Sequence, residues 1–205
     1  MATELSIKNR ALTACGELRI SGLTEDSVNA RLINDIYDDS RRAVLEMHSW
    51  HFARKQVELA KLTTTPHGYD NAFELPSGII KIVGFNNTDP EYRQKLPFEI
   101  VGEELHTSED SAKITYIQDV TLSGLFSSGF VEALTLYLAL TVAFSRTKSQ
   151  PLMDRLDARF EKAMSRAKRA DAGQGNRPPP ADSGFPNICA RRTGNNYFRG
   201  IVINN

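Results

Sequence analysis

Residues 130–144, FVEALTLYLALTVAF, are apolar almost all the way round a helix. At helical spacing Phe130, Val131, Leu134, Leu136, Tyr137, Leu138, Leu140, Val142 and Phe144 point to every side of the axis. No single face can then be given to water, and such a segment must be enclosed by other elements. The stretch is shorter than a bilayer span and carries Glu132, Thr135 and Thr141. The expectation is a central, buried helix of a soluble body, running from near Ser128 to about Ser145.

Flanking segments supply the covering faces. Residues 5–19 read as a short helix, with Leu5, Leu12 and Cys15 near helical spacing, broken by Arg19-Ile20-Ser21-Gly22-Leu23. Thr24 reads as an N-cap, followed by Glu25 and Asp26, where negative charge suits the first turn. A long helix then reaches about Met47, its apolar stripe formed by Val28, Leu32, Ile36, Tyr37, Val44 and Met47. The opposite face holds Asp35, Asp38, Asp39, Arg41 and Arg42. Trp50 and Phe52 close this segment as aromatic anchors that hold the long helix against a β module. After the central helix, Pro151 suits the first turn of another. Leu152, Leu156, Phe160, Ala163, Met164 and Ala167 share one of its faces, and Arg155, Arg159, Lys162, Arg166, Lys168 and Arg169 the other; the helical signal stops at Asp171.

Between the helices the apolar period drops to two. Val57, Leu59 and Lys61 alternate with Gln56, Glu58 and Ala60, and strand-like runs lie at 72–75, 79–85, 98–101 and 113–117. Pro66-His67-Gly68, Pro76-Ser77-Gly78, Asn86-Asn87 and Asp89-Pro90 punctuate them. The fold class expected is therefore α+β: a bundle of about four helices (1–52 and 125–170), an inserted small antiparallel β module (53–124), and an extended C-terminal arm (171–205). Gly and Pro forbid regular structure in the first half of that arm, whereas Tyr197, Phe198, Ile201, Val202 and Ile203 have strand character. The arm is read as tied to a partner chain, with a strand returning to its own body as the alternative.

The chain has 205 residues, 40% hydrophobic and 24% charged, ordinary values for a globular protein, and its formal net charge is zero. Residues 1–149 carry 15 Lys/Arg against 20 Asp/Glu, a net of −5, and residues 150–205 carry 10 against 5, a net of +5. A neutral total argues against a surface that binds nucleic acid everywhere, while the asymmetry allows unlike faces to meet different neighbours. The alternative is that the basic helix end only complements its own dipole. Cys15 and Cys189 form no disulfide framework or zinc pattern, and Cys15 reads as a small buried side chain. Met1-Ala2-Thr3-Glu4 lacks the basic-then-apolar order of a signal peptide, so the chain is expected to be soluble and intracellular when made.

Residues that could carry chemistry are few. His48 and His51 stand three apart near Glu46, but a working metal site needs another ligand, and packing beside Trp50 is the plainer reading. Glu103-Glu104 and Glu109-Asp110 can be imagined as paired glycosidase carboxylates, but acidic pairs in polar loops are usually solvated. Ser127 and Ser128 lack the spacing of a nucleophile elbow, and no phosphate-binding loop is present. No catalytic residue, metal or cofactor is expected.

The run Ile7-Lys-Asn-Arg-Ala-Leu-Thr-Ala-Cys-Gly-Glu17, then Ser21-Gly-Leu-Thr-Glu-Asp26, Ile36-Tyr-Asp-Asp-Ser-Arg41 and His48-Ser-Trp50-His-Phe-Ala-Arg-Lys55, resembles the tail tubular protein A family of short-tailed phages and related head-to-tail connectors. Tyr69 to Pro76 and Phe130-Val-Glu-Ala-Leu134 extend the resemblance over most of residues 5–170, and the arm after residue 176 matches nothing in it. The resemblance implies a non-enzymatic virion protein in the tail below the portal, made in the host cytoplasm. It implies a dodecameric ring that docks on the portal protein, carries a tail nozzle or tube protein, and lets DNA pass through its lumen without specific binding or any membrane. A closing ring needs two different complementary faces, for which Asp35, Asp38 and Asp39 on one side and Arg155, Arg159 and Arg166 on the other are the candidates. The arm's Arg191, Arg192, Tyr197, Phe198, Arg199, Ile201, Val202 and Ile203 are candidates for holding the portal or a neighbouring subunit by strand addition and ion pairs. A tail-associated cell-wall hydrolase and a DNA-binding assembly factor are the alternatives.

Overall fold

A computed structural model describes residues 2–86, 97–147 and 149–174. Among them the chain forms four α-helices and two three-stranded antiparallel sheets, so the α+β class holds. Helix α1 spans Glu4–Cys15, α2 Val28–Glu46, α3 Ser128–Arg146 and α4 Gln150–Ala172. The strands are β1 Arg54–Glu58, β2 Asn71–Glu74, β3 Ile79–Phe85, β4 Phe98–Val101, β5 Glu104–Thr107 and β6 Lys113–Gln118.

Local chemistry explains where helix ends depart from expectation. Thr3 and Ser6 cap α1 reciprocally through side chain and backbone, at 3.2 and 3.0 Å. The helix stops at Cys15, not residue 19, because Gly16 takes the left-handed conformation (φ 78°) while the Glu17 N–H turns back to the Leu12 carbonyl. Thr24 does not cap α2. Glu25 accepts the Ser21 N–H (2.6 Å) and hydroxyl (2.8 Å), which holds its carboxyl below the usual range, and Ser27 caps the helix by accepting from the Ala30 N–H. With that start, the buried face of α2 is Ala30, Ile33, Tyr37, Ser40, Arg41, Val44 and Leu45, while Val28 and Met47 are exposed. The stripe expected from periodicity is thus rotated, and Arg41 belongs to the inside.

Helix α3 is central, as its composition requires, and α1, α2 and α4 all pack on it. Its 19 residues are apolar and long enough by themselves to cross a membrane, so the stretch is not too short for that; here it is the core helix, half buried by its neighbours. Phe144, in its last turn, is 73% exposed, so its apolar circumference is not fully covered. At the other end α4 lies close: a Cβ added to Gly129 would sit 2.8 Å from Ala167 Cβ. Cys15 is buried against α3, donating to the Ala139 carbonyl, and burial pushes its thiol up to about 11.

Trp50 anchors the helical core. Its ring is fully buried, its indole N–H donates to the Val44 carbonyl (2.9 Å), and it meets Phe130 edge-on at 5.2 Å. Phe52 and Phe126 also pack on Phe130, at 5.1 and 4.8 Å. The two anchors therefore grip the start of α3, in the same cluster as Ile117 and Ile80 of the β module.

The strands form sheets in the orders β1-β6-β3 and β2-β5-β4. Strand β6 uses its period of two to serve two cores: Ile117 joins the helical cluster, while Ile114 and Tyr116 join Leu59, Phe73, Leu105 and Ala112 between the sheets. The first sheet thus lies between the helices and the second sheet. Strands 79–85 and 98–101 fall where alternation put them. Strand β5 departs from expectation; Gly102, at φ 61°, opens a two-residue hairpin loop from β4 into residues that read as an acidic loop.

Candidate functional site

On α4, burial of Leu156, Phe160, Ala163, Met164 and Ala167 turns Arg155, Arg159 and Arg166 outward, as the sequence placed them. Arg166 pairs across to Glu132 of α3 at 2.8 Å. Arg159 instead lines a cleft of about 410 Å³ with Arg10 of α1 and with Ser128, Glu132 and Thr135 of α3. Asp35, Asp38 and Asp39 are exposed on α2, and Asp38 reaches back to Arg41 at 3.2 Å. Among the described residues no ion pair joins the acidic and basic sets within one chain. The arm residues Arg191, Arg192, Tyr197, Phe198, Arg199, Ile201, Val202 and Ile203 lie outside the described residues.

Two polar joints are not legible in the sequence. Arg41 is 1% exposed and donates to the Asp119 carboxylate and to the Val120 carbonyl (2.9 Å), and Arg42 donates to the other Asp119 oxygen at 2.9 Å. Asp119 also donates its own N–H to the Gly78 carbonyl, so α2, the β3 entry and the approach to α3 meet at one residue. Burial pushes the Asp119 carboxyl up, but the hydrogen bonds and charges of the two guanidiniums outweigh that and hold it below the ordinary value. An arginine in a helix reads as exposed when the apolar stripe is misphased by one residue, and Arg41 escapes sequence reasoning for that reason.

The second joint is Asp171, expected to begin the arm. The helix continues to Ala172, and Asp171 is 3% exposed. Its carboxylate accepts from His48 Nε2 (3.0 Å), His51 Nδ1 (2.9 Å) and the His51 N–H (3.1 Å). His48 also packs edge-on to Trp50 at 4.9 Å. This ties the last turn of α4 to the segment after α2. Among the described residues no group of three or more metal-binding side chains is placed to hold an ion.

The acidic pairs are not arranged as pairs. Glu103 lines an open groove of about 580 Å³ with Glu58 and Glu74, whereas Glu104 begins β5 and accepts from His106 at 2.9 Å. Asp110 is fully exposed, 3.9 Å from Lys61 Nζ. Ser127 is the N-cap of α3, accepting from the Phe130 N–H at 3.3 Å. The arrangement can present charge and hold elements together. No family model matches this chain, and no curated protein matches it.

Proposed function

We propose that this chain is a non-enzymatic structural subunit of a phage virion: a head-to-tail adaptor that forms a closed ring, dodecameric in the family it resembles. The ring docks under the portal protein, carries the tail nozzle or tube protein, and lets DNA pass through its lumen without gripping it. One observation carries the reading. A single body exposes an acidic face on α2 and a basic face on α4, on two different helices around one buried helix. Subunits of a ring contact each other head to tail, so each needs two unlike, complementary faces. The resemblance in residues 5–170 names the ring, and the charge asymmetry is what such a contact requires.

Mass photometry of the full chain, alone and mixed with a portal ring, tests this. The expected result is one closed multimer in the presence of the portal. A twofold dimer that persists unchanged in both conditions would sink the reading, because a self-complementary pair leaves no face to continue a ring.

A further inference from the structure

The cleft between α1, α3 and α4 has features the fold does not need. Arg10 and Arg159 both line it, and among the described residues neither guanidinium has a carboxylate within ion-pair distance. Glu132, the acid in the same cleft, is taken by Arg166 at 2.8 Å, so it does not neutralise them. Thr135 lines the cleft as well. It is 9% exposed, and its hydroxyl is buried without a hydrogen-bond partner, although a helical threonine can ordinarily turn back to a carbonyl of its own helix. A buried polar group left unpaired is destabilising, so each one calls for an explanation. Two forked donors in one cleft make a receptor for a carboxylate, because guanidinium matches carboxylate geometry bidentately.

We infer that this cleft receives the acidic face of α2 from a second copy of the chain, with Asp35 and Asp39 as the entering carboxylates. They stand one helical turn apart, are exposed, and make no ion pair among the described residues, whereas Asp38 is engaged with Arg41. A cleft of about 410 Å³ has room for side chains but not for a helix backbone, so α2 lies across its mouth. The contact joins unlike faces, and Arg155, one helical turn before Arg159, is exposed on the same side of α4. Exposed ion pairs alone contribute little. Here water is excluded from the cleft once α2 covers it, and charge pairs in that setting contribute more.

This inference rests on the ring reading and deepens it. The test uses three variants of the full chain, followed by mass photometry alone and with the portal ring. Arg10→Asp/Arg159→Asp should weaken self-association by about tenfold or more, and Asp35→Arg/Asp39→Arg likewise. Mixing the two should restore it, since each supplies the face the other lacks. Thr135→Val serves as the control: its hydroxyl is buried away from an entering side chain, so association should stay within about twofold and the melting temperature should be equal or higher, because an unpaired group is removed. A structural role for the hydroxyl would instead lower the melting temperature. Charge-reversed variants that assemble like the unaltered chain, or a mixture that fails to recover, overturn the inference and leave the ring reading standing. A twofold dimer that depends on the same four residues keeps the cleft contact and overturns the ring. An unaltered chain that stays monomeric in both settings overturns both.

Discussion

In the helical core one helix is enclosed by three others, and Trp50, Phe52, Phe126 and Phe130 interlock where that helix begins. Between the sheets, among the described residues, only Leu59, Phe73, Leu105, Ala112, Ile114 and Tyr116 are buried together, and every residue of the outer strand β4 is exposed. The first region is over-determined, with aromatic contacts, side-chain caps on α1, α2 and α3, and the hydrogen bonds of Asp171 all agreeing. The second has one small cluster and depends on β6, whose Ile117 reaches into the helices. A body built this way keeps its helices rigid while its outer sheet opens at lower cost. In an adaptor that division would put the stiff part at the ring and the compliant part at a partner.

Replacing Trp50 with Ala should break the stronger side. It empties a fully buried site and removes the bond to Val44, at a cost of about 3–5 kcal/mol. Chemical denaturation followed by helical circular dichroism would report it. A loss below about 1 kcal/mol would mean that the aromatic node does not organise the core.

Asp119→Asn tests the joint between the two regions. Arg41 would be left buried with a neutral partner, costing about 3 kcal/mol at neutral pH. Because its native carboxyl titrates below the ordinary value, Asp119 contributes stability that is present above the unfolded value near 4 and lost as pH falls through the native one. The gap between the native chain and the variant should therefore close in acid, read from denaturation midpoints across pH 2–7. A gap that widens in acid would assign the stabilisation to something other than this carboxylate.

Leu105→Ala probes the weaker side, with an expected cost of about 2–3 kcal/mol. Hydrogen exchange should show β2, β4 and β5 losing protection while α3 keeps it. Uniform loss across both regions would erase the contrast between them. The smallest effect is expected at Phe144→Ser, within about 0.5 kcal/mol, since the ring is largely in water. A melting temperature that falls by many degrees would show that the last turn of α3 is covered in solution.

Composition and period by themselves determined the class, the central helix, the inward and outward faces of α4 and the positions of β3 and β4. These come from local rules: a side chain's spacing along its own element sets which neighbours can share its face. The exposed charges at Asp35, Asp38, Asp39, Arg155, Arg159 and Arg166 were legible for the same reason. Tertiary structure alone decided the rest. The phase of α2 was decided by packing: the face that its neighbours cover is rotated from the stripe expected from periodicity, and this carries Arg41 inside. The partner of Arg41 lies 78 residues away and that of His51 lies 120 away, separations at which no local pattern carries information. Strand β5, with Glu104 at its start and His106 within it, lacks strand composition and is held by pairing on both sides. The cleft between α1, α3 and α4 exists only because three helices meet there, so an orphan hydroxyl at Thr135 becomes visible only after they pack.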